Sequence, residues 1–180
     1  MSPGLFQSLI GDEIWATLPA PVRDFHGDDR DLSARGDSIV DGSTKRLAAL
    51  VRRVSGLPAP GSSAALDFQL HREHLLEHWT RRFATRTMRS IIDRSSRHDG
   101  CLRERLGPAT LHFELVVENR AIVWRLRSMQ VLGIGLPPSW LRGINARSSA
   151  EGERYRFETH ATLPLIGLLV AYRGWLERHD

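Results

Sequence analysis

Residues 71 to 79 of the 180-residue chain read HREHLLEHW, in which His74, Glu77 and His78 spell H-x-x-E-H. On a helix, that spacing stacks two imidazoles beside a carboxylate able to activate water, the inverted signature of zinc peptidases. His71 would join the same face, at offsets of three and four. On a strand the chemistry disappears, because positions 74 and 78 share a face but lie ~13 Å apart, too far to hold one ion. The stretch 66 to 99 has neither Gly nor Pro and fits both elements. Leu75, Leu76, Trp79 and Phe83 make a helical stripe; Trp79, Arg81 and Phe83 make one face of a strand.

Two further constellations carry chemistry. His112-x-Glu114 and Glu158-x-His160 each put an imidazole and a carboxylate on one strand face, an acid/base pair or a metal set if the strands were neighbours. Alternation with apolar residues favours the plainer reading of a wet outer face, where Arg125, Arg127, Arg154 and Arg156 pair with the glutamates. The other group is Trp79 and Arg81, with Glu104 and Tyr172 or Arg173 in reach. An arginine held among aromatic rings by a glutamate recognises a carboxylate, phosphate or enolate oxygen, or else locks a sheet as a structural ion pair. His26, at the end of a helix over the mouth of such a sheet, is the titratable group best placed to join it.

These residues need elements to hold them. LFQSLIGDEIWATL has helical spacing broken at Gly11, and PAPVRDFH starts a second short helix in which Val22, Phe25 and His26 share a face. GDDRDLSARGDS is polar and turn-rich, and its RGDS is treated as noise. KRLAALVRRVSG is a helix capped by Ser43 or Thr44 and stopped by Gly56, with Leu47, Leu50, Val51 and Val54 expected on its buried side. LPAPGSSAA marks the passage to a sheet. From residue 110 the period is two: TLHFELVVE and AIVWRLRSMQV form a hairpin about Asn119 and Arg120, and ERYRFETHATL and LLVAYRGWL another about Leu163 to Gly167.

Composition bounds the rest. Forty-one per cent hydrophobic residues are enough for a core in a single domain. The net charge of +4 raises nucleic acid as a partner, but arginines are spread along the chain with acids between them, which argues against one. Cys101 is alone, so no disulfide framework exists. No apolar run reaches membrane-spanning length and no secretory leader is visible, so a cytoplasmic protein with no membrane as a partner is expected.

LPAPVRDFH, VSGLP, EHWTRRF, RERLGP, LGIGLPP and YRGWL, in this order and spacing, resemble a bacterial domain of unknown function found alone or fused behind a saccharopine-dehydrogenase-like Rossmann domain. The family pattern E-x-W-x-R-x-F falls on Glu77, Trp79, Arg81 and Phe83. An acid–basic–aromatic–Gly–Pro element falls on Glu104 to Pro108, with Leu106 replacing the aromatic. HREHLL stands where relatives have a glycine-rich turn. The resemblance makes 77 to 83 a strand and implies an α+β fold: a curved, mostly antiparallel sheet or partial barrel with short N-terminal helices packed on it. One domain over 1–180 is expected, with a mostly helical prefix over 1–58 and the sheet over 64–178.

The expected function is binding of an apolar small molecule inside the sheet, extending to cofactor-free cyclisation, isomerisation or dehydration of a polyketide-, terpenoid- or lipid-like substrate. Arg81, Glu104 and His26 are the expected catalytic groups. Trp79, Phe83, Phe113, Trp124 and Tyr172 are the expected ligand wall, with no metal and no cofactor. The alternative is a non-catalytic binding or accessory domain beside an oxidoreductase.

Overall fold

The computed structural model describes residues 3–84 and 86–179, the side chains of 62–64 excepted. Strands dominate it. β1 (Asp31–Asp41), β2 (Gly61–Glu73), β3 (Leu76–Phe83), β4 (Arg86–Arg94), β5 (Cys101–Leu106), β6 (Ala109–Glu118) and β7 (Ala121–Val131) follow one another as antiparallel neighbours. A two-residue strand, β8 (Ile134–Gly135), hangs on β7. β9 (Ile144–Glu151) then pairs with β7, and β10 (Arg154–Leu163) and β11 (Gly167–Arg178) complete the meander. β11 pairs with β1, so the sheet closes into a ten-stranded barrel. The expected partial barrel is therefore a complete one, which leaves no long unpaired edge.

Helices are short. α1 (Leu5–Ile10), α2 (Asp12–Ala16) and α3 (Ala20–His26) lie before β1, with Gly11 at φ 89° breaking the first pair as its position predicts. α4 (Arg46–Ser55) lies between β1 and β2, and α5 (Pro138–Leu141) between β8 and β9. No described helix is long and apolar enough to cross a membrane.

The helical prefix expected over 1–58 is corrected by β1. The RGDS tetrapeptide lies inside this strand, between β2 and β11, and not in a turn. Its glycine has a steric reason: a Cβ at Gly36 would stand 1.8 Å from the Trp175 carbonyl oxygen. The polar composition that hides β1 is its outward row, with Arg35 bound to Asp67, while Leu32, Ala34 and Val40 are buried. α4 is corrected too. Leu47, Leu50 and Val54, expected inside, are 52 %, 57 % and 61 % exposed, and the helix turns Ala48 and Arg52 inward. Arg52 donates to the carbonyls of Leu169 and Ser43, which fixes the helix by its polar side. The cap is Lys45, one residue beyond Thr44, and the helix starts at Arg46, although Ser43 Oγ does accept from the Lys45 N–H.

Because every neighbouring pair is antiparallel, the connections sort themselves between two ends. At one end lie the turns 74–75, 95–100, 119–120 and 152–153 together with α1 to α3. At the other lie the connections 42–60, 107–108, 132–143 and 164–166, together with Ala84 between β3 and β4. The first three helices plug the former end with Leu5, Phe6, Val22 and Phe25, all buried.

The plug is tied to the barrel by a buried ion pair. Glu77 is fully buried, and its carboxylate accepts from Arg72 Nε at 2.9 Å and from Trp79 Nε1 at 2.7 Å. Arg72 also donates to the carbonyls of Asp29 at 2.6 Å and Phe25 at 2.9 Å, so one guanidinium joins β2 and β3 to the last turn of α3 and the segment after it. Burial pushes the Glu77 carboxyl up, and the Arg72 charge with both hydrogen bonds opposes that shift. Arg72→Met should cost ~3–5 kcal/mol in urea unfolding, because it leaves a carboxylate buried without its counter-charge. The double variant Arg72→Met/Glu77→Leu should recover part of that loss, since no charge then remains to be compensated.

Candidate functional site in the barrel interior

Alternation along the strands gives the barrel a charged wall and an apolar interior. Outside, Arg127 pairs with Glu114, Arg125 with Glu118 and Arg156 with Glu151 and Glu158. His160 is exposed and bonded to Thr162. His112 is buried against the outside of β6 by the loop 95–100, where Ser95 Oγ meets its Nδ1 at 2.8 Å. β6 and β10 are separated by β7 and β9, so the two His/Glu pairs are not neighbours and belong to the wall. HREHLLEHW is a hairpin: His71 and His78 face each other across β2 and β3, His74 sits in the turn at φ 59°, and Glu77 points inward. The helical alignment required by H-x-x-E-H is not formed.

Inside, a cavity of about 350 Å³ lies between the plug and the end covered by α4 and α5. Leu66 and Phe68 of β2, Leu111 and Phe113 of β6 and Met129 and Val131 of β7 are part of its apolar wall. Val51, Ser55 and Leu57 roof it from the α4 side, and Trp140 from α5.

Besides Ser55, Asn145, Arg147, Glu158 and Thr159, two connected groups of buried polar side chains interrupt this lining. In the first, Arg81 of β3 reaches across β4 toward Glu104 of β5, Nη1 to Oε1 at 3.6 Å, and donates to Ser90 Oγ at 3.1 Å. Its guanidinium carbon stands 4.6 Å from the Trp79 ring centroid, within cation–π range. Both side chains are about nine-tenths buried, at 10 % and 12 % exposure. Among the described residues no hydrogen bond reaches the Glu104 carboxylate, and Ser90 is the one hydrogen-bond acceptor recorded for Arg81. Tyr172 of β11 also faces the cavity; burial pushes its hydroxyl up, and the Arg81 charge opposes this.

The second group is at the floor. Ser148 of β9 and Tyr155 of β10 line the cavity, with their hydroxyls 2.8 Å apart. Trp124 Nε1 donates to Ser148 Oγ at 3.3 Å, and His26 Nε2 stands 3.2 Å from Ser148 Oγ and 3.1 Å from Tyr155 Oη. His26 Nδ1 is buried without a partner. An orphaned N–H costs more than an orphaned lone pair, so the ring proton belongs on Nε2 and His26 donates to the hydroxyl pair. Ser148 and Tyr155 then share one hydrogen between them, and the other hydroxyl hydrogen is left for a ligand oxygen.

Of the expected site residues, Arg81, Glu104, Trp79, Phe113, Trp124 and Tyr172 all line the cavity. Phe83 does not; it is buried edge-on against Tyr172, with centroids 5.5 Å apart. His26 is not in the lining either. It lies under it, 4.1 Å from Phe6 centroid to centroid, and acts on the cavity through Ser148 and Tyr155. Ser148 and Ser90 are cavity-side polar residues that sequence reasoning missed. Alternation in RSSAE and MRSII was the available signal, but a serine on a strand has no feature that marks it as inward.

The chain belongs to the family described as Domain of unknown function (DUF4166), whose model matches residues 18–176. The match takes in α3 and every strand of the barrel, so the cavity is built wholly from family sequence, whereas α1, α2 and the Phe6 contact to His26 precede it. No curated protein matches the chain.

His26 provides a pH test. Burial, then the charges of Arg72 and Arg81, hold its pKa well below the usual 6.5. The unfolded chain therefore binds a proton that the folded one refuses, and stability is full above about pH 6.5 and falls as pH drops below it. His112, also lowered by burial, adds to the same slope. His26→Gln should remove its own share, up to about 1.4 kcal/mol per pH unit, leaving the remaining slope in place. Unfolding midpoints measured at a series of pH values for both proteins check this.

Proposed function

We propose that the barrel binds an apolar small molecule carrying at least one carbonyl oxygen, and that Arg81 and Glu104 act on that group. The observation that supports this is the cavity itself. At about 350 Å³ it falls within the ~300–1,000 Å³ of small-molecule sites, and its largely apolar lining holds the buried Arg81 guanidinium, with one hydrogen bond, beside the buried Glu104 carboxylate.

Such a pair supports proton transfer without a cofactor. The Glu104 carboxylate takes a proton from the carbon beside a carbonyl; the electron pair moves onto the carbonyl oxygen, and Arg81 holds the resulting enolate. With a carbon–carbon double bond conjugated to the enolate, return of that proton from Glu104 to its far carbon makes the step an isomerisation; attack of the enolate carbon on a second carbonyl makes it a cyclisation, the new alkoxide taking the proton back from Glu104. The aromatic walls hold a flexible polyketide-, terpenoid- or lipid-like chain in the shape this requires.

A binding-only role, alone or beside an oxidoreductase, is the second reading. The Arg81–Glu104 pairing favours it, because the pair also fastens β3 to β5 across β4. Arg81→Met separates the two. It keeps much of the volume and removes the charge, and should weaken binding of an oxygen-bearing apolar probe roughly ten- to a hundredfold, as expected for a lost charged hydrogen bond of ~1.5–3 kcal/mol. Displacement of an environment-sensitive dye by a ketone, and by the alkane of equal length, measures this, with the melting temperature recorded beside it. Glu104→Gln should keep binding and stop turnover. A purely structural pair would lower the melting temperature in both variants and leave ketone and alkane affinities in their original ratio.

A further inference from the structure

The end of the barrel above the cavity differs from the plugged end in a way that folding does not require. Among the described residues nine large hydrophobic side chains are exposed, and six of them, Leu47, Leu50, Val54, Leu132, Ile134 and Leu165, belong to connections at this end. Leu47, Leu50 and Val54 lie on one face of α4, turned away from the barrel.

Two of the others carry a second cost. Leu132 and Leu165 sit at turn tips with φ 52° and 68°, a left-handed conformation unfavourable to a leucine, and are 79 % and 87 % exposed. At the opposite end the corresponding left-handed tips are His74, Asn119, Arg120 and glycines, the ordinary polar choices. Leucine at such a tip loses both in backbone energy and in hydration, so it serves something outside the fold.

Charge runs the same way. The five connections at this end contain no Asp or Glu, yet hold Lys45, Arg46, Arg52, Arg53 and Arg142. Arg52 is spent on the carbonyls beneath α4, and Lys45, Arg46, Arg53 and Arg142 remain exposed. The plugged end carries the acids, among them Asp12, Glu13, Asp24, Asp28, Asp99 and Glu153. Apolar side chains interleaved with cations, on α4 and on the loop tips at the same end, complement an anionic lipid surface: leucines enter the acyl boundary and arginines meet phosphates. We infer that this end docks the protein on an anionic membrane surface, with the cavity's α4 and α5 roof facing the lipid.

The inference rests on surface residues and stands apart from what the cavity holds. Its test is co-sedimentation with vesicles of phosphatidylcholine alone and of phosphatidylcholine mixed equally with phosphatidylglycerol. The protein should sediment with the mixed vesicles, less so at high salt, and not with the neutral ones. Leu50→Glu, and separately the triple change of Leu47, Leu50 and Val54 to Ser, should weaken sedimentation about tenfold or more while circular dichroism stays unchanged, because these side chains are more than half exposed and lie outside the core. Ile39→Ser, on the barrel wall, and Arg81→Met, inside it, should sediment as the unaltered protein does. Failure to bind mixed vesicles overturns the inference, as does binding that the α4 variants leave intact. A dimer in solution that Leu50→Glu splits, with no vesicle binding, assigns the face to a second copy of the chain and overturns it too.

Discussion

A carboxylate with no exposed surface, Glu77, stands at the floor of the barrel, and the order of everything above it depends on how that charge is compensated. Arg72 supplies the counter-charge and spends its remaining donors on carbonyls of the plug, so electrostatic compensation and closure of the barrel's end are one event. Trp79 donates to the same carboxylate, which fixes the indole plane. That plane is the surface over which Arg81 lies two residues further along β3. A single strand thus runs from a structural charge through an oriented ring to a charge that faces the cavity. Loosening Glu77 would disturb the site through Trp79 before it opened the fold.

The two buried arginines show how alike residues come to differ in role. Arg72 makes three hydrogen bonds, one of them the 2.9 Å ion pair to Glu77, leaving little with which to meet a ligand. Arg81 has one hydrogen bond, a glutamate at 3.6 Å and an aromatic face. Unsatisfied capacity in a dry interior is costly, and a ligand oxygen supplies what is missing. The hydroxyls of Ser148 and Tyr155 repeat the pattern more weakly, with neutral His26 behind them. Burial pushes Tyr155 up and His26 down, so both stay uncharged at neutral pH and present hydrogen-bonding groups, not charges.

Much of this was legible in the chain because alternation is a local signal. The hairpins of β6 with β7 and β10 with β11 follow from period two with turn residues between them, and α3 follows from Pro21 and its apolar face. Arg81, Glu104 and Trp79 came within reach of one another through the E-x-W-x-R-x-F resemblance joined to the same alternation. β1 was hidden because its outward row, Asp31, Ser33, Arg35, Asp37, is polar and its inward row small, a pattern that a turn-rich segment shares. β9, INARSSAE, has no aromatic residue and only Ile144 as a β-branched one, so little marks it as a strand, and it carries Ser148. For α4 the periodicity was legible and its direction was not. A stripe of Leu47, Leu50 and Val54 ordinarily points to a core, and only the two carbonyl contacts of Arg52, both long-range or across a loop, turn the other face inward.

The central claim is that the barrel interior is a working cavity and not a packing defect. Met129 lies in its wall, and the chain has only two other methionines, Met1 and Met88, the latter buried outside the lining. Methyl resonances of ¹³C-labelled methionine, followed while a medium-chain aliphatic ketone is added, report on the interior directly. A saturable shift of the Met129 methyl, with Met1 unmoved, is the predicted result. A Met129 methyl that stays in place while ketone at its solubility limit alters nothing would contradict the claim.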